Sequence, residues 1–339
     1  MKIAFNFAIE ISEKFQTYSF PLKYSNIHAN LQYLTHFFFW RIMRLFSGGN
    51  NDDFQLCRPG EPCERPSLVH NLPLDDIKKI NLGYSGCVAI YEDGSVYKWG
   101  RVNNEVIQDP TKIEGLPIIS DAICNFNYLV CLTEDGKLLV DSQESNPIGL
   151  YQVETDIKIK MIFGRSVPCV VGENKKVYSL DFASRSLIEF QNAPDNVKQI
   201  CSISTQVLLI SRDGKTYISK HNSNNFTLVE SLRNQFIVKI DGCFEHFVAV
   251  ASNGKAFGNG CNIHGTIGTG QSYINLEEAQ KFHEILNFPD PIIDIATGDI
   301  HTLFLDIKGK LWQTGKDHRN QKMGDSQHNS RKNIEFYFS

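Results

Sequence analysis

A two-residue turn recurs along the chain and is the feature that most restricts its fold. Measured on the second residue of each turn, successive steps are 42, 39, 39, 40 and 55 residues. The turns are Asp93-Gly94, Asp135-Gly136, Asn174-Lys175, Asp213-Gly214, Asn253-Gly254 and Lys308-Gly309. Asp-Gly and Asn-Gly pairs supply the positive φ angles that a tight hairpin requires. The sequence therefore predicts an array of β-hairpins with a period near 40.

Short apolar stretches lie on both sides of each turn. Examples upstream are Phe247-Val-Ala-Val250 and Thr302-Leu-Phe-Leu305, and examples downstream are Val96-Tyr97-Lys98-Trp99 and Leu311-Trp312-Gln313. Several short strands in each unit of about 40 residues are typical of β-propeller blades. The upstream stretches are apolar on both faces, as expected for strands between neighbouring blades. Helical spacing is absent from the repeats, so we predict an all-β fold.

Three kinds of motif recur in the repeats: Gly298-Asp-Ile-His301 before an apolar strand, Trp99-Gly100 at the end of a strand, and the glycine-spaced loop from Gly260 to Gly270. Together they resemble the repeat of the regulator of chromosome condensation family. Two further stretches resemble degraded copies of that loop, namely Phe54-Gln55-Leu56-Cys57 and Gln321-Lys-Met323-Gly324-Asp325. The resemblance covers roughly Met43 to the C-terminus and is weak between Ile157 and Asn234. It implies a β-propeller of the seven-bladed type.

The repeat units divide the chain into two regions. Residues 1–42 are predicted to be a non-repeat N-terminal extension, and residues 43–339 a regulator-of-chromosome-condensation-like β-propeller. From Leu45 the chain resembles the second half of a unit whose first half is absent, and six further units follow. This count leaves six or seven blades open, and we favour seven blades with an imperfect closing blade. Edge strands left open in this way are available for pairing.

The extension contains the run Phe37-Phe-Phe-Trp40, which is too short to span a bilayer. We expect no transmembrane segment, and interpret the run as a strand or helix that docks on the propeller. An amphipathic membrane anchor is a second interpretation. A third is that Met43 is the natural start of the protein.

Composition excludes some classes of partner. The chain has 339 residues, 42% of them hydrophobic, and a net charge of −4. Without a cationic field, we expect no strong binding to nucleic acid. Nine cysteines are scattered without a CxxC pair, which indicates free thiols in a reducing compartment. The predicted localisation is the cytoplasm, with the nucleus as the alternative.

The sequence contains no recognisable catalytic, cofactor-binding or metal-binding constellation, and we predict a protein that is not an enzyme. The spacing of Cys57, Cys63 and His70 does not match a structural zinc site. His246 and His301 are interpreted as structural residues that bond local backbone groups. The acidic pairs Glu92-Asp93 and Glu134-Asp135 are interpreted as solvated turns, and Trp99 and Trp312 as core residues. The loop from Gly260 to Gly270 is interpreted as a turn between strands of adjacent blades, not as a phosphate cradle.

Two further stretches are candidates for contact with partners. The segment from Gln271 to Asp290 expands the outer loop of one unit, and insertions on one face of a repeat array often form binding surfaces. A solvated crossover is its simpler interpretation. The segment from Lys316 to Lys332 is rich in Lys, Arg and His. We interpret it as a flexible or poorly packed last loop, with contact to phosphate or chromatin as the alternative.

The repeat array predicts a non-enzymatic scaffold that binds protein partners on one face of a rigid disc. The family resemblance implies an alternative, namely guanine-nucleotide exchange on a Ran-like small GTPase. Exchange requires no general base and no cofactor, because the exchange factor acts by displacing bound nucleotide and magnesium. No residues of an exchange site are assigned, since none matches a family motif.

Overall fold

The computed structural model describes residues 36–40, 45–49, 51–58, 63–69, 71–145, 149–219, 223–262, 265–269, 281–298, 301–315 and 332–334. Statements about the structure below refer to these residues. They contain twenty-seven strands and one short 3-10 helix, Glu230–Leu232.

The strands form seven antiparallel sheets in which neighbouring strands follow chain order. Sheet 1 has three strands: β1 (His36–Trp40), β2 (Leu45–Gly49) and β3 (Cys63–Leu68). Sheet 2 has β4 (Ile77–Leu82), β5 (Ser85–Tyr91), β6 (Val96–Val102) and β7 (Glu105–Lys112). Sheet 3 has β8 (Ile119–Asn125), β9 (Tyr128–Thr133), β10 (Leu138–Ser142) and β11 (Tyr151–Gln152). Sheet 4 has β12 (Ile159–Phe163), β13 (Cys169–Gly172), β14 (Val177–Asp181) and β15 (Ser186–Glu189).

The remaining three sheets repeat the four-stranded arrangement. Sheet 5 has β16 (Val197–Ser202), β17 (Val207–Ser211), β18 (Thr216–Ser219) and β19 (Phe226–Leu228). Sheet 6 has β20 (Ile237–Cys243), β21 (His246–Ala251), β22 (Ala256–Gly260) and β23 (His283–Glu284). Sheet 7 has β24 (Ile292–Thr297), β25 (His301–Asp306), β26 (Leu311–Gly315) and β27 (Lys332–Ile334). The seven sheets confirm the predicted seven-bladed type.

The first strands of successive sheets contact one another from sheet 2 to sheet 7, so they lie innermost in the array. Charged pairs join some of them. Lys79 of β4 donates to Asp121 of β8 at 2.7 Å, and Lys239 of β20 pairs in the same way with Asp294 of β24. In sheets 2 to 7 the register shifts between the first and third residues of the first strand. Such a bulge increases the local twist, which tilts each blade against the next.

The hydrophobic core is divided into clusters that lie between neighbouring sheets. One cluster, for example, combines Val88 and Ile90 of sheet 2 with Ile119 and Leu129 of sheet 3. Second strands β5, β9, β17 and β21 are buried at every position, as expected for strands covered on both faces. Trp99 is fully buried, and Trp312 is half-buried against the last cluster, so the core assignment of both is correct.

The predicted hairpin turns are present in sheets 2 to 7. Each lies between the second and third strands, and the glycines have φ angles between +77° and +85°. Sheet 4 differs, because Lys175 occupies the left-handed position with φ +67°. A lysine is more strained than a glycine in this left-handed conformation.

The first sheet changes the interpretation of the N-terminal region. His36–Trp40 were predicted to belong to a non-repeat extension, but they form β1 and pair with every residue of β2. The repeat array therefore starts before residue 43, and we propose to move the domain boundary to residue 36 or earlier. The sequence predicted a docked strand or helix here, but not a strand of the repeat array, because no Asp-Gly or Asn-Gly turn joins it to β2.

Several predicted stretches lie wholly or partly outside the described residues. They are residues 1–35, residues 270–280 of the expanded outer loop, and residues 316–331 of the basic segment. The described end of the outer loop forms the short strand β23, which pairs with β22.

Candidate protein-interaction site

The turns between the first and second strands of sheets 2 to 6 meet around a depression on one face of the array. Its volume is about 570 Å³. Tyr84, Phe126 and Phe244 come from the turns of sheets 2, 3 and 6, and Arg165 comes from the turn of sheet 4. The complete lining is Tyr84, Ser85, Arg101, Asn125, Phe126, Asn127, Arg165, Ser166, Ser204, Cys243 and Phe244.

Aromatic side chains form much of the rim. The Phe126 side chain is 47% exposed, and its ring contacts the Tyr84 ring edge-on with centroids 6.1 Å apart. Phe244 is half-buried, and its φ of +54° is unusual for a residue other than glycine. An exposed phenylalanine beside a concave surface is typical of a binding site, because it releases water when a partner covers it.

The turn of sheet 4 is held by hydrogen bonds from both neighbouring sheets. The Arg165 carbonyl oxygen accepts from the Asn125 Nδ2 at 2.6 Å and from the Tyr128 hydroxyl at 2.8 Å. On the other side, the Ser202 Oγ accepts from the backbone N–H groups of Arg165, Ser166 and Val167 at 3.1–3.2 Å. The floor of the depression is therefore rigid before any partner binds.

The Arg165 side chain crosses from sheet 4 to sheet 7. Its Nη1 donates to the Thr297 carbonyl oxygen at 3.2 Å, and the residue is only 2% exposed. Asp241 lies in the same cluster and accepts from the Thr297 N–H at 2.8 Å and from the Thr297 Oγ1 at 3.1 Å. Burial raises the pKa of Asp241 to about 7, although these hydrogen bonds and the Arg165 charge lower it. The cluster links sheets 4, 6 and 7 across the middle of the array.

His246 and His301 begin second strands beside this cluster. His246 bonds the Cys243 backbone, as predicted, and its Nε2 also lies 2.9 Å from the Thr302 Oγ1 of the next sheet. The His301 ring packs over Gly298, where a Cβ would lie 2.4 Å from the ring Cε1. Burial lowers the pKa of both imidazoles to about 3, with the Arg165 charge contributing. Both rings are therefore neutral at pH 7.

Among the described residues that line the depression, two carry a guanidinium group and none carries a carboxylate. Arg101 donates to the Asp53 Oδ1 at 2.7 Å, and this hydrogen bond raises the pKa of Arg101. Its charge is thus balanced by a carboxylate beside the depression. The lining offers polar donors and aromatic surface, which is the composition of protein-interaction hot spots.

The loop that begins at Gly260 follows β22 and leads to β23 of the same sheet, so the prediction of a turn between strands of adjacent blades is wrong, although the loop packs against sheet 7. Asn262 accepts from the Ile267 N–H at 2.8 Å and donates to the Thr269 Oγ1 at 3.1 Å. The Thr266 carbonyl oxygen accepts from the hydroxyls of Thr302 and Thr314, both at 2.8 Å. Residues 263–264 and 270 lie outside the described part of the chain.

The stretch before Cys57 is a second copy of this loop. Asn51 accepts from the Leu56 N–H at 3.0 Å, and Asn262 accepts from Ile267 over the same five-residue span. The Gln55 carbonyl oxygen then accepts from the Trp99 Nε1 of sheet 2 at 3.1 Å. Each loop connects two strands of one sheet and packs against the next sheet.

Other residues considered in the sequence lie away from the depression. The acidic pairs Glu92-Asp93 and Glu134-Asp135 are exposed on the opposite face, at the turns between second and third strands. Eight cysteines in the described residues form no disulfide bond, and burial raises the pKa of the Cys131 and Cys169 thiols to about 12. Among the described residues, no group of three or more His, Cys, Asp and Glu side chains could hold a metal ion.

Sequence reasoning did not identify the residues of the rim. Tyr84, Phe126, Arg165 and Phe244 belong to no motif, and each lies in a different unit. The available signal was their place in the repeat, since each follows the first strand of its sheet. Only the ring arrangement brings residues about 40 positions apart to one surface.

Comparisons with known proteins agree with this fold. The chain is 24% identical over 323 residues to the ultraviolet-B receptor UVR8 of Arabidopsis thaliana, covering 80% of this chain and 72% of that protein. It is 22% identical over 274 residues to the mouse regulator of chromosome condensation, covering 75% of this chain and 62% of the relative. The crystal structure of Prp20p from Saccharomyces cerevisiae superposes with a TM-score of 0.69 at 15% identity, covering 86% and 85% of the two chains. No protein-family model matches the chain.

The seven successive antiparallel sheets define a β-propeller protein. The chain is an RCC1-like β-propeller, as the histidine, Trp-Gly and glycine-loop motifs indicated. In the residues that the structure describes, no helix has the length and apolar character needed to cross a membrane.

Proposed function

We propose that this propeller is a non-enzymatic scaffold that binds a protein partner through the depression and its rim. The observation that carries the proposal is the exposed Phe126 beside Tyr84 and Phe244, around a concave surface of about 570 Å³. The turns that present these rings are already fixed by hydrogen bonds from neighbouring sheets. A preorganised surface loses little conformational entropy on binding, which favours a stable complex.

A comparison of variants tests this proposal. Phe126→Ala and Phe244→Ser remove rim surface, while Ile118→Ala removes a side chain that is 57% exposed on the opposite face. Tagged full-length chains are compared by quantitative affinity capture, and the captured protein is then titrated in purified form. We expect the rim variants to weaken its binding at least tenfold, and Ile118→Ala to leave it unchanged. If all three variants bind the captured protein equally well, the binding site lies outside the depression and its rim.

Guanine-nucleotide exchange on a Ran-like small GTPase is the second candidate. It is favoured by the similarity to the mouse regulator of chromosome condensation over 75% of this chain, and by the fold shared with Prp20p, whose structure is described with its binding to Gsp1p and histones. Release of a fluorescent guanine nucleotide from a Ran-like GTPase, with catalytic amounts of the full chain, tests it. Acceleration well above the intrinsic rate would assign exchange, and no acceleration by folded protein would leave the scaffold.

The compartment belongs to the same proposal. We place the protein in the cytoplasm or the nucleus, because nine scattered cysteines fit a reducing compartment. Imaging of the protein fused to a fluorescent label at its C-terminus checks this. A secretory or vesicular distribution would contradict it.

A further inference from the structure

Asp241 is a buried acidic residue beside the depression and is not part of its lining. It lies on β20, three residues before Phe244, and is 1% exposed. Its Oδ2 accepts from the Thr297 N–H at 2.8 Å and from the Thr297 Oγ1 at 3.1 Å. The carboxylate also accepts from the Gly242 N–H. Three donors from two sheets therefore converge on one carboxylate.

The residues bonded to this carboxylate belong to two walls of the depression. Gly242 leads directly into the turn that carries Phe244 to the rim in sheet 6. The Thr297 carbonyl oxygen accepts from the Nη1 of Arg165, which lines the depression in sheet 4, at 3.2 Å. Asp241 thus bonds the turn of sheet 6 directly and reaches the turn of sheet 4 through Thr297.

The Phe244 turn depends on such bonds to keep its shape. Phe244 has a φ of +54°, a left-handed conformation in which a residue other than glycine is strained. Its carbonyl oxygen accepts from the Ser204 N–H at 3.1 Å and from the Ser204 Oγ at 3.0 Å. On the strand side, the bond from Gly242 to Asp241 completes the constraint. A strained backbone relaxes when its hydrogen bonds weaken, so this bond helps to fix the Phe244 ring at the rim.

The titratable groups of this cluster come from four sheets. They are Arg165 of sheet 4, Cys201 of sheet 5, Lys239 and His246 of sheet 6, and His301 of sheet 7. Burial lowers the pKa of both imidazoles to about 3 and raises that of the thiol, so these three groups are neutral near pH 7. The Arg165 guanidinium remains charged.

Two groups of the cluster can change charge near neutral pH. Burial raises the pKa of Asp241 to about 7, and burial lowers the pKa of Lys239 to about 8. Lys239 also forms an ion pair with Asp294 of sheet 7. The Asp241 carboxylate is the one that bonds the backbone of the Phe244 turn, so its charge bears directly on the shape of the rim.

We propose that Asp241 is a positioning residue for the depression, whose carboxylate fixes the Phe244 turn against sheet 7, so that a proton added to the carboxylate loosens the turn and weakens partner binding. A protonated carboxyl group accepts fewer and weaker hydrogen bonds than a carboxylate does. The effect on binding rests on the proposed function of the depression. The loosening of the turn requires no partner and is tested separately.

Hydrogen exchange of the full chain, followed by mass spectrometry at pH 8 and pH 6 and corrected for the intrinsic pH dependence of exchange, tests the loosening. With a pKa of about 7, about nine-tenths of the Asp241 carboxyl groups are ionised at pH 8 and about one-tenth at pH 6. We expect residues 242–247 to exchange at least about threefold faster at pH 6. The Tyr84 turn of sheet 2, residues 82–86, is the internal control and should not change. Equal protection of residues 242–247 at both pH values would overturn the proposal.

Asp241→Asn separates the carboxylate from the other groups that titrate. The carboxamide keeps the size of the side chain, but it carries no charge and does not titrate in this range. We expect residues 242–247 of the variant to exchange at the faster rate at both pH values. A pH dependence that persists in the variant would overturn the proposal and assign the effect to Lys239.

Binding is then measured with the purified protein that the full chain captures in the affinity experiment. We expect its affinity for the wild-type chain to fall by between about threefold and tenfold from pH 8 to pH 6, and its affinity for Asp241→Asn to be equally weak at both. A constant ratio of the two affinities across this range would overturn the proposal. Phe126→Ala distinguishes this failure from failure of the proposed function, because it weakens binding at both pH values if the depression is the binding site.

Discussion

The turn glycines of this propeller meet two requirements at one position. Their positive φ closes the hairpin, and the lack of a side chain admits the residue that enters the next sheet. An L-residue at positive φ is strained by about 1–2 kcal/mol even in open space. Overlap with the neighbouring backbone adds to this strain, because the closely packed contact between the turn glycine and the next sheet cannot shift without an energetic cost.

We therefore expect Gly254→Ala to destabilise the protein more than Gly115→Ala. The first substitution should cost about 3 kcal/mol, because the new Cβ meets Pro291, and the second about 1 kcal/mol from φ strain alone. Urea unfolding followed by circular dichroism measures both. Similar losses for the two variants would show that this contact relaxes around the added methyl group.

Thr302 connects the histidine motif of sheet 6 to the glycine loop. Its hydroxyl lies 2.9 Å from the His246 Nε2 and donates to the Thr266 carbonyl oxygen at 2.8 Å. All three residues are buried, so the His246 imidazole and the Thr266 carbonyl oxygen cannot bond water instead when the hydroxyl is removed.

We expect Thr302→Val to lower the free energy of unfolding by about 2 kcal/mol, since it leaves a buried imidazole nitrogen without this bond. Thr302→Ser retains the hydroxyl and serves as the control, with a smaller loss from the missing methyl group. Chemical denaturation separates the two. Equal stability of the valine and serine variants would mean that the hydroxyl contributes nothing net.

At the scale of elements, the two asparagine-centred loops each pack one sheet against the next. The loop at Asn51 accepts a hydrogen bond from Trp99 of sheet 2. The loop at Asn262 accepts hydrogen bonds from Thr302 and Thr314 of sheet 7. In each loop the asparagine bonds a backbone N–H five residues later, which fixes the loop for packing against the next sheet. Glycines alone would not fix the conformation of the loop backbone in this way.

We expect Asn262→Ala to cost about 1–2 kcal/mol, because the Ile267 N–H is buried and loses its acceptor. Asn51→Ala should have a similar effect through Leu56. Asn262→Asp keeps the acceptor and should cost less than Asn262→Ala. Thermal unfolding of the three variants ranks them, and an aspartate variant weaker than the alanine variant would contradict this role of the side-chain oxygen.

At the scale of the whole molecule, three buried titratable groups meet near Arg165 in the middle of the ring. His246 and His301 have a pKa of about 3 in the folded state, against about 6.5 for an unfolded histidine. Between these values the unfolded chain binds two more protons, so stability falls as the pH falls. Asp241 has a folded pKa of about 7, against about 3.9 unfolded, so between these values it acts in the opposite direction.

We expect the three groups together to lower the free energy of unfolding by about 1.4 kcal/mol for each unit by which the pH falls from about 6 to 4.5. This slope corresponds to a net uptake of one proton on unfolding. Asp241→Asn removes the opposing contribution and should steepen this slope to about two protons. Urea unfolding at several pH values in this window measures both slopes. An unchanged slope in the variant would show that Asp241 does not retain its proton in the folded state.

Much of the fold could be predicted because its signals are local. A hairpin turn depends on a few consecutive residues, and Asp-Gly or Asn-Gly marks it wherever it occurs. The apolar strands beside the turns repeat about every 40 residues, so the blade type and the division of the core between blades follow from the period. The first sheet was predicted least well, because the segment between β1 and β2, from Arg41 to Arg44, contains no Asp-Gly or Asn-Gly turn.

The sequence by itself determined the all-β class, the repeated hairpins, and the structural role of the histidine and glycine-loop motifs. Only the tertiary structure decided which residues meet at the depression, and that Arg165 reaches from sheet 4 to Thr297 of sheet 7. The physical reason is the range of the interactions. Turns and strands are specified by neighbouring residues, whereas the rim and the central cluster form only when the ring brings distant turns together, and no local pattern records that meeting.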